Sequence, residues 1–288
     1  MKILVHIPSD SLQFQFGVQQ ILNSFSNEHK VLVMCQKIKN KKNSNFFLIN
    51  VLKKIKAHVS VEKKHLNLAR KRGELIPCIK NRFSAFFLDS YSREYTQIKN
   101  IYLKKYFSNI TNNKVLNEAN SYLIDSINNE EVFIRNFQPD ILIMLGGPFV
   151  KQKILKQFKY AINIHMGWIP SYKGARTIEW ALVKKDFSHV GSTIHLMTNK
   201  LDEGKILWRE TCDHDINFNK IGEPLAHLYQ KAFYAIPTII KKIIDGQEIH
   251  PTNIKEDKED KLYYGYEFDY KFYKKMIEMN ESDSQKIL

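Results

Sequence analysis

The sequence predicts an α/β chain on a parallel, doubly wound sheet. Two observations carry that reading. Strand, helix and strand patterns follow one another at the very start of the chain, and the same alternation returns after residue 138. Strands separated by helical crossovers pack as a parallel sheet with helices on both faces.

In chain order, residues 2–7 are a short β-branched and aliphatic run that ends in Pro8-Ser9-Asp10, which suits a buried strand followed by a helix cap. Residues 11–26 then place Leu12, Phe14, Phe16, Val18, Ile21, Leu22 and Phe25 mostly at helical spacing, and residues 29–35 read as the next strand. From 37 to about 112 the pattern degrades into Lys-rich runs and helical pieces such as 46–55, which reads as an insertion. Its aromatic segment 83–95 suits a helix on the core, a flap over a site, or a partner surface. Periodicity returns with a helix over about 115–137, and Pro139-Asp140 leads into the apolar strand 141–145, broken by Gly146-Gly147-Pro148. A helix over 150–158, a strand over 160–164, a Pro/Tyr/Gly-rich loop over 166–174 and a helix over 176–184 follow. Strands over 190–197 and 205–211 come next, then a long helix over about 223–245, expected to be kinked or interrupted at Pro237. In the tail, a charged run at 255–261 precedes Tyr263, Tyr264, Tyr266, Phe268, Tyr270, Phe272 and Tyr273. Aromatics alternating at period two predict a strand or hairpin covering an edge, or a dimer contact.

The chain has 288 residues, enough for one large α/β domain or a core domain with a small appendage. We divide it into a catalytic domain over 1–248, interrupted by the insertion at 36–112, and an aromatic-rich C-terminal extension over 249–288. The three cysteines, Cys35, Cys78 and Cys212, are scattered and show no metal spacing, so they read as reduced thiols in a cytoplasmic protein. No apolar run approaches the length of a signal-peptide core or a membrane span, so membrane insertion is not expected. The formal charge of +14 favours anionic partners. Lys is abundant throughout, though, which reads as compositional bias more than as a nucleic-acid patch.

Asn163 and His165 lie two apart in an apolar strand, so both side chains leave the same face of the sheet. They sit at its C-terminal end, where open α/β sheets bind ligands. On spacing alone, Asn163 capping the turn and His165 as a satisfied core histidine is the better explanation. Gly146-Gly147-Pro148 alone is likewise an ordinary strand-ending turn. His6 suits a capping role at the end of the first strand. Asp213-His214-Asp215 are consecutive and point in different directions, so no metal is expected there.

The runs Ile162-Asn163-Ile164-His165, Ile169-Pro170-Ser171-Tyr172-Lys173-Gly174-Ala175, Val190-Gly191-Ser192-Thr193-Ile194-His195 and Leu201-Asp202-Glu203-Gly204-Lys205-Ile206-Leu207 together resemble the 10-formyltetrahydrofolate-dependent formyltransferases. The resemblance covers about 138–207 and is weaker over the first strand and helix. It implies a Rossmann-like formyltransferase fold, with Asn163, His165 and Asp202 as the catalytic residues. It implies 10-formyltetrahydrofolate as formyl donor, with the pterin at Gly147, Pro148, Phe149 and Val150 and near Thr198 and Leu201. Tyr172, Lys173 and Gly174 are implied on the acceptor side, whereas the counterpart of His195 is structural. The loop Met166-Gly167-Trp168-Ile169-Pro170 is similar to the sugar-modifying members. The purine enzyme's glycine-rich phosphate loop has no counterpart in His6-Ile7-Pro8-Ser9-Asp10. The expected acceptor is therefore the amine of a nucleotide-linked amino sugar. A tail short of the barrel that methionyl-tRNA formyltransferases carry argues against tRNA. A formyltetrahydrofolate hydrolase and an inactive binding or scaffold relative are the competing readings.

Overall fold

A computed structural model of the chain describes residues 1–37, 89–110, 114–249, 260–265 and 267–284. The expected helical piece at 46–55, most of the insertion, and residues 83–88 of the aromatic segment lie outside these residues.

The chain begins with β1 (Lys2–Ile7), α1 (Leu12–Phe25) and β2 (Lys30–Gln36). After the undescribed stretch come α2 (Asp89–Tyr106), α3 (Lys114–Glu118), β3 (Ser121–Ile124), a 3-10 turn at Ile127–Asn129, and α4 (Glu131–Phe137). Next are β4 (Ile141–Met144), the single-turn α5 (Gln152–Leu155), β5 (Tyr160–His165), β6 (Lys173–Gly174) and α6 (Thr177–Val183). The order finishes with β7 (Gly191–Leu196), β8 (Ile206–Thr211), α7 (Glu223–Ile244), β9 (Leu262–Tyr263) and α8 (Tyr270–Ser284).

Seven strands form one sheet in the order β3-β2-β1-β4-β5-β7-β8. β3, β2, β1, β4 and β5 run parallel, and β7 and β8 close the far edge antiparallel. Chain order reverses between β1 and β4, the place where a crevice opens beyond the strand ends of a doubly wound sheet. β4 and the middle of β2 read as unbroken apolar runs because both faces are covered. In β1, Ile3, Val5 and Ile7 join the core under α1 and α7, while Leu4 faces Ile134, Leu142 and Ile154 on the other side. A third core gathers Trp168, Tyr172, Trp180 and Leu228 with Tyr95 of α2 and Tyr263, Phe268 and Met276 of the C-terminal segment.

Three expected elements differ. The helix expected over 115–137 is instead α3, β3, the 3-10 turn and α4, because the backbone of Ser121–Ile124 pairs with β2 and continues the sheet. The interruption expected at Pro237 is absent: α7 runs through it, held by the buried Phe233, Ile236, Ile239, Ile240 and Ile243. Among the described residues the tail is a short strand and a helix: Leu262–Tyr263 is extended, pairing with β6, and Asp269 then starts α8 by accepting the N–H groups of Lys271 (3.0 Å) and Phe272 (3.2 Å). The tail's rings turn inward: Tyr263 stacks on Tyr172 with centroids 5.4 Å apart, and Phe272 meets Trp180 edge-on at 4.0 Å. Among the described residues, Cys35 and Cys212 are free thiols, and no helix is long and apolar enough to cross a membrane.

Candidate active site

The pleat of β5 sends Ile162 and Ile164 into the core and Asn163 and His165 to the other face. Register extends this row across the sheet, since His6 pairs with Met144, Met144 with Asn163 and Asn163 with His195. Where the row meets the C-terminal ends of β4 and β5, a cleft of about 410 Å³ opens, within the range of small-molecule sites.

Its lining includes Asn163, His165 and Asp202, together with Gly146, Gly147, Pro148, Phe149, Val150, Gly174, His195, Thr198 and Leu201. A further group, Lys99, Arg176, Thr177, Glu179, Leu225 and Tyr229, comes from α2, α7 and the start of α6. Phe149 and Leu201 stand out as large apolar side chains left exposed on this rim, at 48% and 38%.

The three polar groups sit against one another. His165 Nδ1 lies 3.5 Å from Asp202 Oδ2, and both side chains are buried. His165 Nε2–H donates to the carbonyl of Tyr172 at 2.8 Å, which fixes the tautomer and leaves Nδ1 toward Asp202. On the other side of the carboxylate, His195 Nε2 lies 3.6 Å from Asp202 Oδ1 and 3.2 Å from Asn163 Nδ2. His195 Nδ1–H donates to the Leu196 carbonyl at 2.9 Å, so its Nε2 accepts an N–H of the Asn163 amide. The backbone N–H of Gly174 donates to Asp202 Oδ2 at 2.8 Å.

Asp202 adopts the left-handed conformation, with φ of +50°, a costly state for a non-glycine residue and one that clusters at functional positions. Gly204 follows it where a Cβ would overlap the Leu196 carbonyl oxygen, so the tight loop after Asp202 requires glycine. Burial acts to raise the Asp202 pKa, but the charge of His165, the contact with His195 and the Gly174 N–H outweigh it and hold the carboxyl at about 2. Behind the row, burial pulls His6 down to about 4, against smaller opposing effects of the Gly146 backbone and Gln36. His6 is fully buried, so it meets no ligand directly.

The structure thus brings Asn163, His165, Asp202, Gly174, the Gly147–Val150 loop, Thr198 and Leu201 to one cleft. Tyr172 and Lys173 are not part of its lining. The Tyr172 ring is buried, and its hydroxyl donates to Asp186 at 2.8 Å. The Lys173 ammonium turns away to Glu203 (2.9 Å) and Asp260 (2.5 Å). Sequence reasoning left out His195, although its pairing opposite Asn163 follows from two strands that both end in polar-x-His. It left Lys99 and Glu179 out altogether, and no local pattern announces their approach to the cleft.

Residues 104–228 match the family model described as formyl transferase. A methionyl-tRNA formyltransferase of Finegoldia magna is 32% identical over 139 residues, a stretch that makes up 47% of this chain and 43% of that protein. The matched stretches span less than half the length of the curated relatives. A 4-N formyltransferase from Francisella tularensis superposes with a TM-score of 0.52 at 14% identity, covering 93% of this chain and 77% of that one. A sugar N-formyltransferase from a Shewanella species does so with a TM-score of 0.52 at 12% identity, over 93% and 78%. At these identities the likeness is one of fold.

Proposed function

We propose that this chain, whose residues 104–228 match the formyl transferase family, moves a formyl group from 10-formyltetrahydrofolate to the amine of a nucleotide-linked amino sugar. The observation that carries the transfer reading is the meeting of Asn163, His165 and Asp202 at one cleft, with His165 3.5 Å from Asp202.

The donor supplies an activated one-carbon unit; the rest is the work of this chain's own side chains. An amine attacking a formyl carbon drives negative charge onto the formyl oxygen, and preorganised donors there lower the barrier. One amide N–H of Asn163 is taken by His195, which leaves the second for that oxygen. His165 keeps Nδ1 toward Asp202 at the edge of the cleft, since its Nε2–H is held by Tyr172. Asp202, kept ionised by its surroundings, accepts the proton the amine must lose, directly or through a water, and returns it to the folate nitrogen as the donor's formyl C–N bond breaks. The exposed Phe149 and Leu201, with backbone groups at Gly147, Pro148, Val150 and Thr198, suit a flat heteroaromatic ring that needs both an apolar slot and hydrogen bonds.

The loop Met166-Gly167-Trp168-Ile169-Pro170 supports the amino-sugar acceptor. The named relatives favour a second reading, methionyl-tRNA as acceptor. An ultraviolet assay of tetrahydrofolate release from 10-formyltetrahydrofolate decides among them, run with dTDP-, UDP- and GDP-4-amino sugars, with methionyl-tRNA, with water alone, and with Asp202→Asn as control. Release that depends on one amino sugar and disappears in the variant supports the proposal. Release with methionyl-tRNA or water moves the activity to the tRNA enzyme or a hydrolase, and no release under any condition removes the enzyme reading.

A further inference from the structure

Two cations of the cleft lining, Lys99 and Arg176, share a single carboxylate. Lys99 of α2 lies with Nζ 5.6 Å from the centroid of the Tyr95 ring, and the Arg176 guanidinium lies 5.8 Å from the same ring. Arg176 is further framed by Phe268 at 4.9 Å and Tyr273 at 5.2 Å. The carboxylate acting on both is Glu179, which lies 3.9 Å from Arg176 and already accepts the Tyr95 hydroxyl at 2.5 Å. Two positive groups against one carboxylate leave a net positive charge on this part of the lining, among the described residues. Lys99 registers it: burial pulls its ammonium down, Glu179 opposes the shift, and Arg176 adds to it. Three rings and a carboxylate also hold the guanidinium in place, so part of the ordering cost of binding is met beforehand.

We propose that Lys99 and Arg176 form the subsite for the anionic group, phosphoryl or carboxylate, of the formyl acceptor. The proposal rests on the formyl-transfer reading for the word acceptor; the anion subsite stands on the charge arrangement itself. A planar fork beside a point charge suits an oxyanion with several acceptor atoms. The donor also carries carboxylates, on its glutamate tail, so the same chemistry has two sources. The acceptor is favoured by where the parts come from. Lys99, Tyr95, Phe268 and Tyr273 lie outside residues 104–228, whereas Arg176 and Glu179 lie inside the family match with Gly147–Val150 and Thr198–Leu201. A donor common to a family is met by the shared stretch alone, and an acceptor that varies within it draws on segments outside that stretch.

Calorimetric titration of inorganic pyrophosphate and, separately, of 5-formyltetrahydrofolate tests this on the full chain, with Lys99→Met, Arg176→Met, Lys99→Arg and Arg176→Lys. Circular dichroism checks folding, and Lys99→Met, a change at the rim, stands in if Arg176→Met unfolds. Pyrophosphate affinity should fall about tenfold in each Met variant and recover in the charge-conserving ones, with 5-formyltetrahydrofolate binding unchanged throughout. Pyrophosphate binding that is absent from the parent protein, or equal in parent and Met variants, overturns the subsite. Loss of 5-formyltetrahydrofolate binding in the Met variants overturns it too, by giving the cations to the donor. Failure of the parent to bind 5-formyltetrahydrofolate while pyrophosphate behaves as expected sinks formyl transfer and leaves the anion subsite standing.

Discussion

The backbone N–H of Gly174 donates to the carboxylate of Asp202 at 2.8 Å, and two residues earlier the carbonyl of Tyr172 takes the Nε2–H of His165 at 2.8 Å. One short stretch of backbone therefore orients two of the three polar groups of the cleft. That stretch is itself pinned by β9: Lys173 pairs with Leu262 and Gly174 with Tyr263, and Ala175 N–H donates to the Tyr263 carbonyl at 3.0 Å.

Gly174→Ala tests this brace. Gly174 has a φ of +97°, and a Cβ there would overlap the Tyr263 carbonyl oxygen, so the variant must part β6 from β9. We expect a loss of about 2 kcal/mol in urea unfolding and a drop in turnover larger than any change in donor affinity. Full activity at unchanged stability would show that the pairing does not hold the site.

Asp202→Asn keeps the size of the side chain and an oxygen for the Gly174 N–H, but removes the charge beside His165. Turnover should fall by about 10²- to 10³-fold, with a melting temperature within a few degrees of the parent. A variant within threefold of the parent in single-turnover assays removes Asp202 from the chemistry.

Acid should destabilise the fold in two separate windows. The His6 pKa is lowered from 6.5 to about 4, so the unfolded chain binds a proton more readily than the folded one, and stability present above pH 6.5 is lost as pH falls toward 4, by about 3 kcal/mol. The Asp202 pKa is lowered from 3.8 to about 2, so its contribution is present above pH 4 and is lost as pH falls toward 2, by about 2 kcal/mol. Urea unfolding across pH 7 to 2 should show the first window flattened in His6→Leu and the second in Asp202→Asn. A slope common to all three proteins would place the proton uptake elsewhere.

Lys173→Met separates a structural lysine from an acceptor-binding one. The side chain is 5% exposed and pairs with Glu203 and Asp260, both of which keep access to water. Stability should fall by about 1 kcal/mol while the acceptor KM stays within twofold. A tenfold rise in that KM at unchanged stability returns Lys173 to the acceptor side.

What could be read from the sequence follows burial. β1 was legible residue for residue because a strand covered on both faces is apolar nearly throughout, here Ile3, Leu4, Val5 and Ile7 around the buried His6. β3 was not: Ser121, Tyr122 and Leu123 are exposed, and the strand exists through backbone pairing with β2, which leaves no mark on side-chain periodicity. The tail misled for the opposite reason. Its aromatics do alternate, but Phe268 just before α8 and Phe272 and Tyr273 within it cluster around Arg176 and Trp180, a contact between distant segments that local spacing cannot encode.

The site divides along the same line. Asn163 and His165 announce themselves as polar residues at alternate positions of an apolar strand. Asp202 required the resemblance over 138–207, because nothing in Leu201-Asp202-Glu203-Gly204 states that its carboxylate meets a strand nearly forty residues earlier. Lys99, Arg176 and Glu179 meet only once α2, α6 and α8 have packed, so composition recorded their charge without their neighbourhood.

The pairing of β6 with β9 has a consequence in time as well as space. A ribosome finishes Asn163, His165 and Asp202 well before it reaches Leu262 and Tyr263, so a nascent chain holds every polar group of the cleft while the backbone that aims two of them still lacks its partner strand. Competence therefore arrives late in synthesis, and a product truncated between α7 and β9 would carry the triad unaimed.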